Sequence, residues 1–109
     1  MTVELLYLPG CANHEATAKL VQSVLRAESM PAEFQEIAIR DHVEAAAYAF
    51  PGSPTIRVNG QDIENVSSPR LDVGFACRTY VVDGKPQGVP PRSMLEQAIR
   101  AARNEETRR

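Results

Sequence analysis

The feature that most constrains the fold is a turn near the N-terminus, where a short apolar segment passes directly into an amphipathic one. Thr2 to Leu8 is an apolar run that ends at Pro9-Gly10, and its length and turn residues predict a buried strand. From about His14 to Ser29, apolar residues recur at spacings of three and four, which predicts a helix with one buried face. These two segments read as the beginning of a βαβ unit.

The next two segments continue the alternation of strand and helix. Phe34 to Ile39 contains β-branched residues and mixed alternation, which predicts a second strand. Asp41 has the side chain of a helix N-cap, and Glu44 three residues later completes a capping box. We expect the helix that begins there to end at Pro51-Gly52, because this pair favours a turn.

The second half of the chain predicts two more strands and a last helix. Thr55 to Asn59 alternates and ends in a hairpin signal, and Cys77 to Val82 is a fourth apolar segment. We expect these two strands to pair with each other in antiparallel fashion. Met94 to Ala102 predicts a helix after Pro90-Pro91. The order is β-α-β-α-β-β-α, an α/β fold with a central mixed sheet of about four strands and helices on both faces.

Length and charge limit the classes of function. The chain has 109 residues, of which 43% are hydrophobic, enough for one core, so we expect one domain over residues 1–103 and a polar tail over 104–109. The net charge of -2 argues against nucleic acid as a partner. No basic leader or long apolar stretch is readable, which predicts a cytoplasmic protein without a membrane span. Two cysteines are too few for a disulfide-stabilised secreted fold.

Cys11 is the strongest candidate for a reactive side chain, because of its position in the sequence. It follows the first strand and its Pro-Gly turn, and it stands at the start of the first predicted helix. Unpaired backbone N–H groups and the positive end of the helix dipole meet there, and both favour thiolate over thiol. Because the thiolate is the reactive form of cysteine, the sequence predicts a nucleophile at Cys11.

Three short motifs give the chain a family resemblance. They are Gly10-Cys11, which leads into the segment Cys11-Ala12-Asn13-His14, then Gly52-Ser53-Pro54-Thr55, and last Cys77-Arg78. With this order of elements, the chain resembles the thioredoxin-like superfamily. It is most similar to small bacterial thioredoxin-like and glutaredoxin-like proteins, some of which are labelled alkylmercury lyase-like. The resemblance covers almost the whole chain and implies the thioredoxin-like fold.

The resemblance also implies roles for individual residues. Cys11 matches the attacking cysteine of a CxxC motif, whereas His14 stands where the second cysteine would be. Pro54 matches a proline that is cis in the family and lies beside the active cysteine. The backbone of the residue before it, here Ser53, would pair with an extended substrate, and Thr55 completes this substrate-binding segment.

The implied activity is that of a thiol-dependent redox protein. Cys11 in its CxxH motif would exchange with a thiol or disulfide substrate, a small molecule or a protein, as in monothiol glutaredoxins, with glutathione as a candidate co-substrate and no bound cofactor. His14 would lower the pKa of the Cys11 thiol or protonate a leaving thiolate. Alternatively, His14 is simply a solvated residue in the first helical turn. The alternative function is a non-catalytic thioredoxin-like module that binds a protein partner or a thiophilic metal, including a mercury-related role.

Other residues receive weaker predictions. In this topology Cys77 should lie toward the end of the sheet away from Cys11, which favours a buried structural thiol over a disulfide partner. Cys11 and His14 make an incomplete metal site, and His42 is expected at the surface, so no metal ligands are assigned. Lys85 lies in a segment that contacts glutathione in glutaredoxin-like folds, although an exposed turn explains its Gly and Pro residues equally well.

Overall fold

A computed structural model describes residues 1–64 and 76–107. Within these residues the chain has an α/β fold that comprises three helices, a mixed four-stranded sheet and a separate two-stranded hairpin. The strands are β1 (Thr2–Tyr7), β2 (Glu33–Ala38), β3 (Thr55–Val58), β4 (Gln61–Asp62), β5 (Tyr80–Val82) and β6 (Lys85–Gln87). The helices are α1 (His14–Ala27), α2 (His42–Ala47) and α3 (Arg92–Thr107).

The four-stranded sheet has the order β2-β1-β3-β4, with β1 in its interior. β1 and β2 run parallel, from Thr2 opposite Glu33 to Tyr7 opposite Ala38, and α1 makes the crossover between them. β3 then runs antiparallel to β1, with Leu6 opposite Thr55. The parallel βαβ unit predicted from the first half of the chain is therefore confirmed.

Apolar side chains of β1 point alternately to the two faces of the sheet, and each face has its own core. Leu5 lies on the face covered by α1 and α3, while Leu6 lies on the face next to α2, and both are fully buried. The larger core is formed by Val3, Leu5, Val21, Val24, Ile56, Val58, Ile63, Leu95, Ile99 and Ala102, and the smaller by Leu6, Ile39, Ala45 and Phe50. Each fully buried large aliphatic side chain contributes about 1.5–3 kcal/mol of hydrophobic stabilisation.

The second helix begins as predicted and ends earlier. The Asp41 side chain accepts a hydrogen bond from the Glu44 amide at 2.8 Å, which confirms its role as N-cap. α2 ends at Ala47 because the chain turns at Ala49, whose φ of 49° lies in the left-handed region. The Phe50 amide then donates back to the Ala45 carbonyl, and this closure buries Phe50 before the predicted stop is reached.

The predicted pairing of the third and fourth strands is wrong. The turn at Asn59-Gly60, where both residues have positive φ, returns the chain directly onto β3 as β4, with Arg57 opposite Asp62. A second such turn at Asp83-Gly84 pairs β5 with β6. Of the predicted strand Cys77–Val82, only the last three residues form a strand. Each two-residue turn pairs the strand before it with the strand directly after it. β3 therefore pairs with β4, and β5 pairs with β6 rather than with β3.

The last helix is longer than the apolar pattern predicts. α3 continues through Thr107, so four residues of the predicted polar tail are helical, and residues 108–109 lie outside the described part. The N-terminal ammonium of Met1 lies 3.2 Å from Glu106 Oε1, which ties this extension to the start of β1. No described helix is both long enough and apolar enough to cross a bilayer.

Candidate functional site

The cysteine turn links the end of β1 to the start of α1. The Cys11 amide donates to the Leu8 carbonyl at 2.9 Å, and Gly10 within this turn has a φ of 83°. Cys11 is partly exposed, and its carbonyl accepts from the His14 amide at 3.2 Å. It therefore lies in the turn that immediately precedes α1, two residues before the N-cap Asn13.

The start of α1 has no side-chain cap. The Asn13 side chain makes no capping hydrogen bond, whereas its carbonyl accepts from the amide and the hydroxyl of Thr17 at 3.1 and 2.7 Å. The His14 amide donates to the Cys11 carbonyl, and the Asn13 side chain caps none of the other amides of the first helical turn, which form the positive end of the helix next to the cysteine turn. This arrangement favours negative charge beside Cys11.

The Ser53-Pro54 peptide bond is cis, as the resemblance implies. Ser53 is fully buried, and its Oγ accepts from the Leu8 amide at 3.0 Å. Leu8 thus holds both turns, because its N–H binds Ser53 while its carbonyl binds the Cys11 amide. Thr55 is also buried and donates its hydroxyl to the Gly52 carbonyl. The structure therefore brings the predicted substrate-binding segment to the same end of the sheet as Cys11. The expected pairing of the Ser53 backbone with a substrate is not available, because its N–H and C=O are already bonded to Ala76 and Arg78.

His14 is held by the sheet rather than solvated. Its Nε2 lies 2.6 Å from Glu36 Oε1 on β2, and its ring stacks on Tyr7 with centroids 3.6 Å apart and planes inclined by 6°. The side chain is 28% exposed. Among the described residues, the Cys11 thiol and the imidazole make no hydrogen bond to each other. Assistance by His14 remains a prediction; the imidazole is partly exposed and is held in place by Glu36 and Tyr7.

Cys77 is neither buried nor at the far end of the sheet. Its side chain is exposed, and the residue forms an isolated parallel bridge with Ser53, the residue before the cis-proline. The prediction of a buried structural thiol is wrong because the segment containing Cys77 is not part of the β5 strand. It runs beside the Ser53-Pro54 turn instead, while both Cys77 and Cys11 are free thiols.

Arg78 is a buried residue that the sequence reasoning did not single out. Its guanidinium donates through Nη1 to Asp62 at 2.8 Å and to Thr55 Oγ1 at 3.1 Å, and through Nη2 to Glu64 at 2.6 Å. It also lies over the Tyr80 ring, 4.5 Å from the centroid. Burial by itself lowers the pKa of Arg78, but Tyr80 and the bonded carboxylates outweigh burial and hold this pKa above its ordinary value. Arg78 is therefore charged.

The segment predicted to contact glutathione, residues 83–88, touches the start of α1 at Gly88. Lys85 is exposed on β6, and Gly88 after that strand packs directly against the Asn13 side chain at the start of α1. A side chain at position 88 would require the Asn13 side chain to move. The contact between this segment and the cysteine turn therefore involves Gly88, while an anion-binding role of Lys85 stays a prediction.

The described residues give no support for a metal centre. Within residues 1–64 and 76–107, no group of three or more His, Cys, Asp or Glu side chains lies close enough together to hold a metal ion. His42 is exposed at the first position of α2, as predicted. The large groove between the β3-β4 hairpin and α3 is lined by none of the predicted site residues.

Three residues of this site were missed by sequence reasoning, namely Tyr7, Glu36 and Arg78. The signal for Arg78 was present, since it belongs to the Cys77-Arg78 pair that carries part of the resemblance. Tyr7 and Glu36 lie on neighbouring strands, and only the parallel register of β1 and β2 shows that both reach His14.

Comparison with known proteins adds no assignment to this site. No protein-family model, curated protein or solved structure matches the chain. Any function therefore rests on the residues described above.

Proposed function

We propose that this chain is a thioredoxin-like protein that carries out thiol-disulfide exchange with Cys11 as its nucleophile. The observation that carries the proposal is the double role of Leu8, which binds Ser53 Oγ through its N–H and the Cys11 amide through its carbonyl. A partly exposed cysteine, the positive end of a helix and a cis-proline turn thereby meet at one end of the sheet. The partial exposure of the sulfur and the positive end of the helix both favour exchange chemistry at Cys11.

The reaction requires two exchange steps. The Cys11 thiolate attacks one sulfur of a disulfide R–S–S–R, forms a mixed disulfide and releases R–S⁻, which takes up a proton. A second thiolate R′–S⁻ then attacks the R sulfur of the mixed disulfide, forms R–S–S–R′ and regenerates the Cys11 thiolate. The electrons come from the second thiol, so the protein undergoes no net oxidation.

The second thiol has to come from outside the CxxH motif. His14 replaces the cysteine that would otherwise resolve the mixed disulfide, so the dithiol route is closed. Glutathione has the required chemistry, because it is a small thiol that can reach a partly exposed sulfur. We therefore propose glutathione as the co-substrate, with no bound cofactor.

We propose that His14 acts on the leaving thiolate. The Glu36 carboxylate at 2.6 Å from Nε2 and the Tyr7 ring together fix the orientation of the imidazole. An imidazolium is a donor at both ring nitrogens, so that Nδ1 stays available for a leaving group while Nε2 binds Glu36. The proposed role of His14 is therefore proton donation, with Glu36 as a positioning residue.

The proposal is tested by comparing Cys11→Ser with Cys77→Ser. We expect Cys11→Ser to abolish exchange between bis(2-hydroxyethyl) disulfide and glutathione, because it removes the attacking sulfur, while Cys77→Ser keeps most of the activity. The mixed disulfide R–S–S–R′ then exchanges with a second glutathione to give glutathione disulfide and R–SH, and rates are measured by coupled reduction of this glutathione disulfide. Full activity of Cys11→Ser would exclude the mechanism. Inactivity of the wild-type protein in every exchange assay would favour a non-catalytic module that binds a protein partner or a thiophilic metal.

The role of His14 is tested with a series of disulfides that differ in the acidity of their leaving thiol. A general acid contributes about 10²–10⁴-fold where the leaving group is poor and little where it is good. We expect His14→Ala to be slowest on the least acidic leaving thiols, so that its rates depend more steeply on leaving-group acidity than those of the wild type. Parallel dependences for the two proteins would mean that His14 has only a structural role.

A further inference from the structure

The backbone of Ser53 is already paired with the protein's own chain. Its N–H donates to the Ala76 carbonyl at 2.9 Å, and its carbonyl accepts from the Arg78 amide at 2.9 Å. An extended peptide binds to a sheet by adding a strand, for which it needs an unpaired N–H and C=O. Ser53, the sheet-end residue linked to the cysteine turn through Leu8, offers neither.

The segment that occupies this position, Ala76 to Tyr80, is called the brace below. Beyond its two backbone bonds to Ser53, the brace is anchored by the Arg78 guanidinium on Asp62 and Glu64. Its Tyr80 hydroxyl donates to the Pro54 carbonyl at 2.7 Å. An incoming peptide would have to break these bonds and separate a buried cation from two carboxylates.

The brace also packs tightly against Gly52, the residue before Ser53. A Cβ atom at Gly52 would lie 2.7 Å from the Arg78 Cβ, so only glycine leaves room for the brace at this position. Gly52 also has a φ of 141°, which side chains rarely allow. The glycine at position 52 is therefore what allows the brace to pack against this turn.

We infer that the brace closes the backbone edge beside Cys11 to extended polypeptides, and that the substrates of this protein are low-molecular-weight disulfides. This inference rests on the proposed function and names the substrate class of the same site. A small disulfide needs only the Cys11 sulfur and the space around it, whereas a polypeptide gains no backbone pairing at Ser53. The oxidant is the small disulfide itself, and the two exchange steps given above apply unchanged.

Closure of the edge is measured without any activity assay, by amide hydrogen exchange with NMR detection. We expect the amides of Ser53 and Arg78 to exchange at least about 100-fold more slowly than in an unfolded chain, because both are bonded within the brace. The Leu5 amide in the central strand serves as the control for global stability. Near-unfolded exchange rates at Ser53 and Arg78, with Leu5 still protected, would show an open edge and overturn the inference.

Substrate class is measured in the Cys77→Ser background as the rate of the first exchange step, in which reduced Cys11 forms a mixed disulfide that mass spectrometry detects, with two matched substrates. One is glutathione disulfide, and the other is a ten-residue extended peptide whose single cysteine carries glutathione as a mixed disulfide. We expect the peptide to react no faster than glutathione disulfide. A tenfold or greater preference for the peptide would overturn the inference, while failure of both substrates would refute the proposed function itself, whatever the exchange rates of the amides.

Variants that loosen the brace should widen the substrate range. In Asp62→Asn/Glu64→Gln, Arg78 loses both carboxylates, and we expect the rate with the peptide to rise at least threefold while the rate with glutathione disulfide stays the same. Tyr80→Phe removes only the bond to Pro54 and is the milder alternative if the double variant does not fold. Equal changes on both substrates in the folded variants would contradict the inference.

Discussion

Replacing Arg78 by methionine tests whether the brace depends on the buried guanidinium. Arg78 has a side chain that is 1% exposed and forms ion pairs with Asp62 and Glu64. Methionine has a similar length and is flexible enough to fill most of the space, so the change removes the charge without leaving a large cavity. We expect a loss of stability that comes mainly from the two carboxylates left without their cation.

The magnitude follows from two opposing terms. Removing one partner of a buried ion pair costs about 3–5 kcal/mol. The Asp62 and Glu64 side chains are 25% and 18% exposed, so water recovers part of that cost and the lower end applies. Arg78 Nε is buried without a hydrogen-bond partner among the described residues, and its removal relieves about 1–3 kcal/mol. The expected net loss in the free energy of unfolding is therefore about 0–2 kcal/mol.

The assay is urea unfolding followed by circular dichroism, because the chain contains no tryptophan. Arg100→Met is the matched control, since Arg100 also binds a carboxylate through two nitrogens, at 3.1 and 2.9 Å from Glu28, but its side chain is 52% exposed. We expect this control to lose much less stability than Arg78→Met, because exposed ion pairs contribute little. Equal losses in the two variants would refute the reasoning that burial makes Arg78 the anchor of the brace.

Two further predictions concern the pH dependence of stability and the fit of the brace. The hydrogen bond from Arg100 lowers the pKa of Glu28 below its ordinary value of 4.5, so its contribution is complete above that pH and is lost as the pH falls through the lowered pKa. Unfolding curves of the wild type and Glu28→Gln should therefore converge in acid, and a constant difference down to about pH 2 would contradict this. Gly52→Ala places a Cβ against Arg78 and should cost at least about 1–3 kcal/mol by urea unfolding, more than Gly60→Ala, whose Cβ meets nothing within 4 Å. Equal costs would mean that the brace yields easily.

The parts of the fold that the sequence predicts well are those set by local periodicity. The short apolar run from Thr2 to Leu8 favours a strand, and the apolar spacing of three and four residues after it favours a helix. β1 and α1 form at these positions. The Asp41 cap is equally local, because it involves a side chain and an amide three residues apart. A parallel βαβ unit follows from the order of these elements.

Long-range pairing is what the sequence could not give. The Asn59-Gly60 and Asp83-Gly84 signals each predict a turn, but they do not show that the first turn alone supplies β3 with its partner. The burial of Arg78 could not be predicted from neighbouring residues, because its acidic partners lie 14 and 16 residues away along the chain. Its burial depends on the pairing of the brace with Ser53, which is a long-range contact.

The position of Cys77 bears on which thiol completes the reaction. Its neighbours Ala76 and Arg78 are both bonded to Ser53, so the Cys77 backbone is held on either side by the brace. A disulfide requires Cα atoms within about 7 Å and a narrow range of torsions, so the bonds on either side of Cys77 limit the backbone conformations from which it could bond to Cys11. Under the proposed mechanism, this restriction favours an external thiol over Cys77 as the partner that regenerates Cys11.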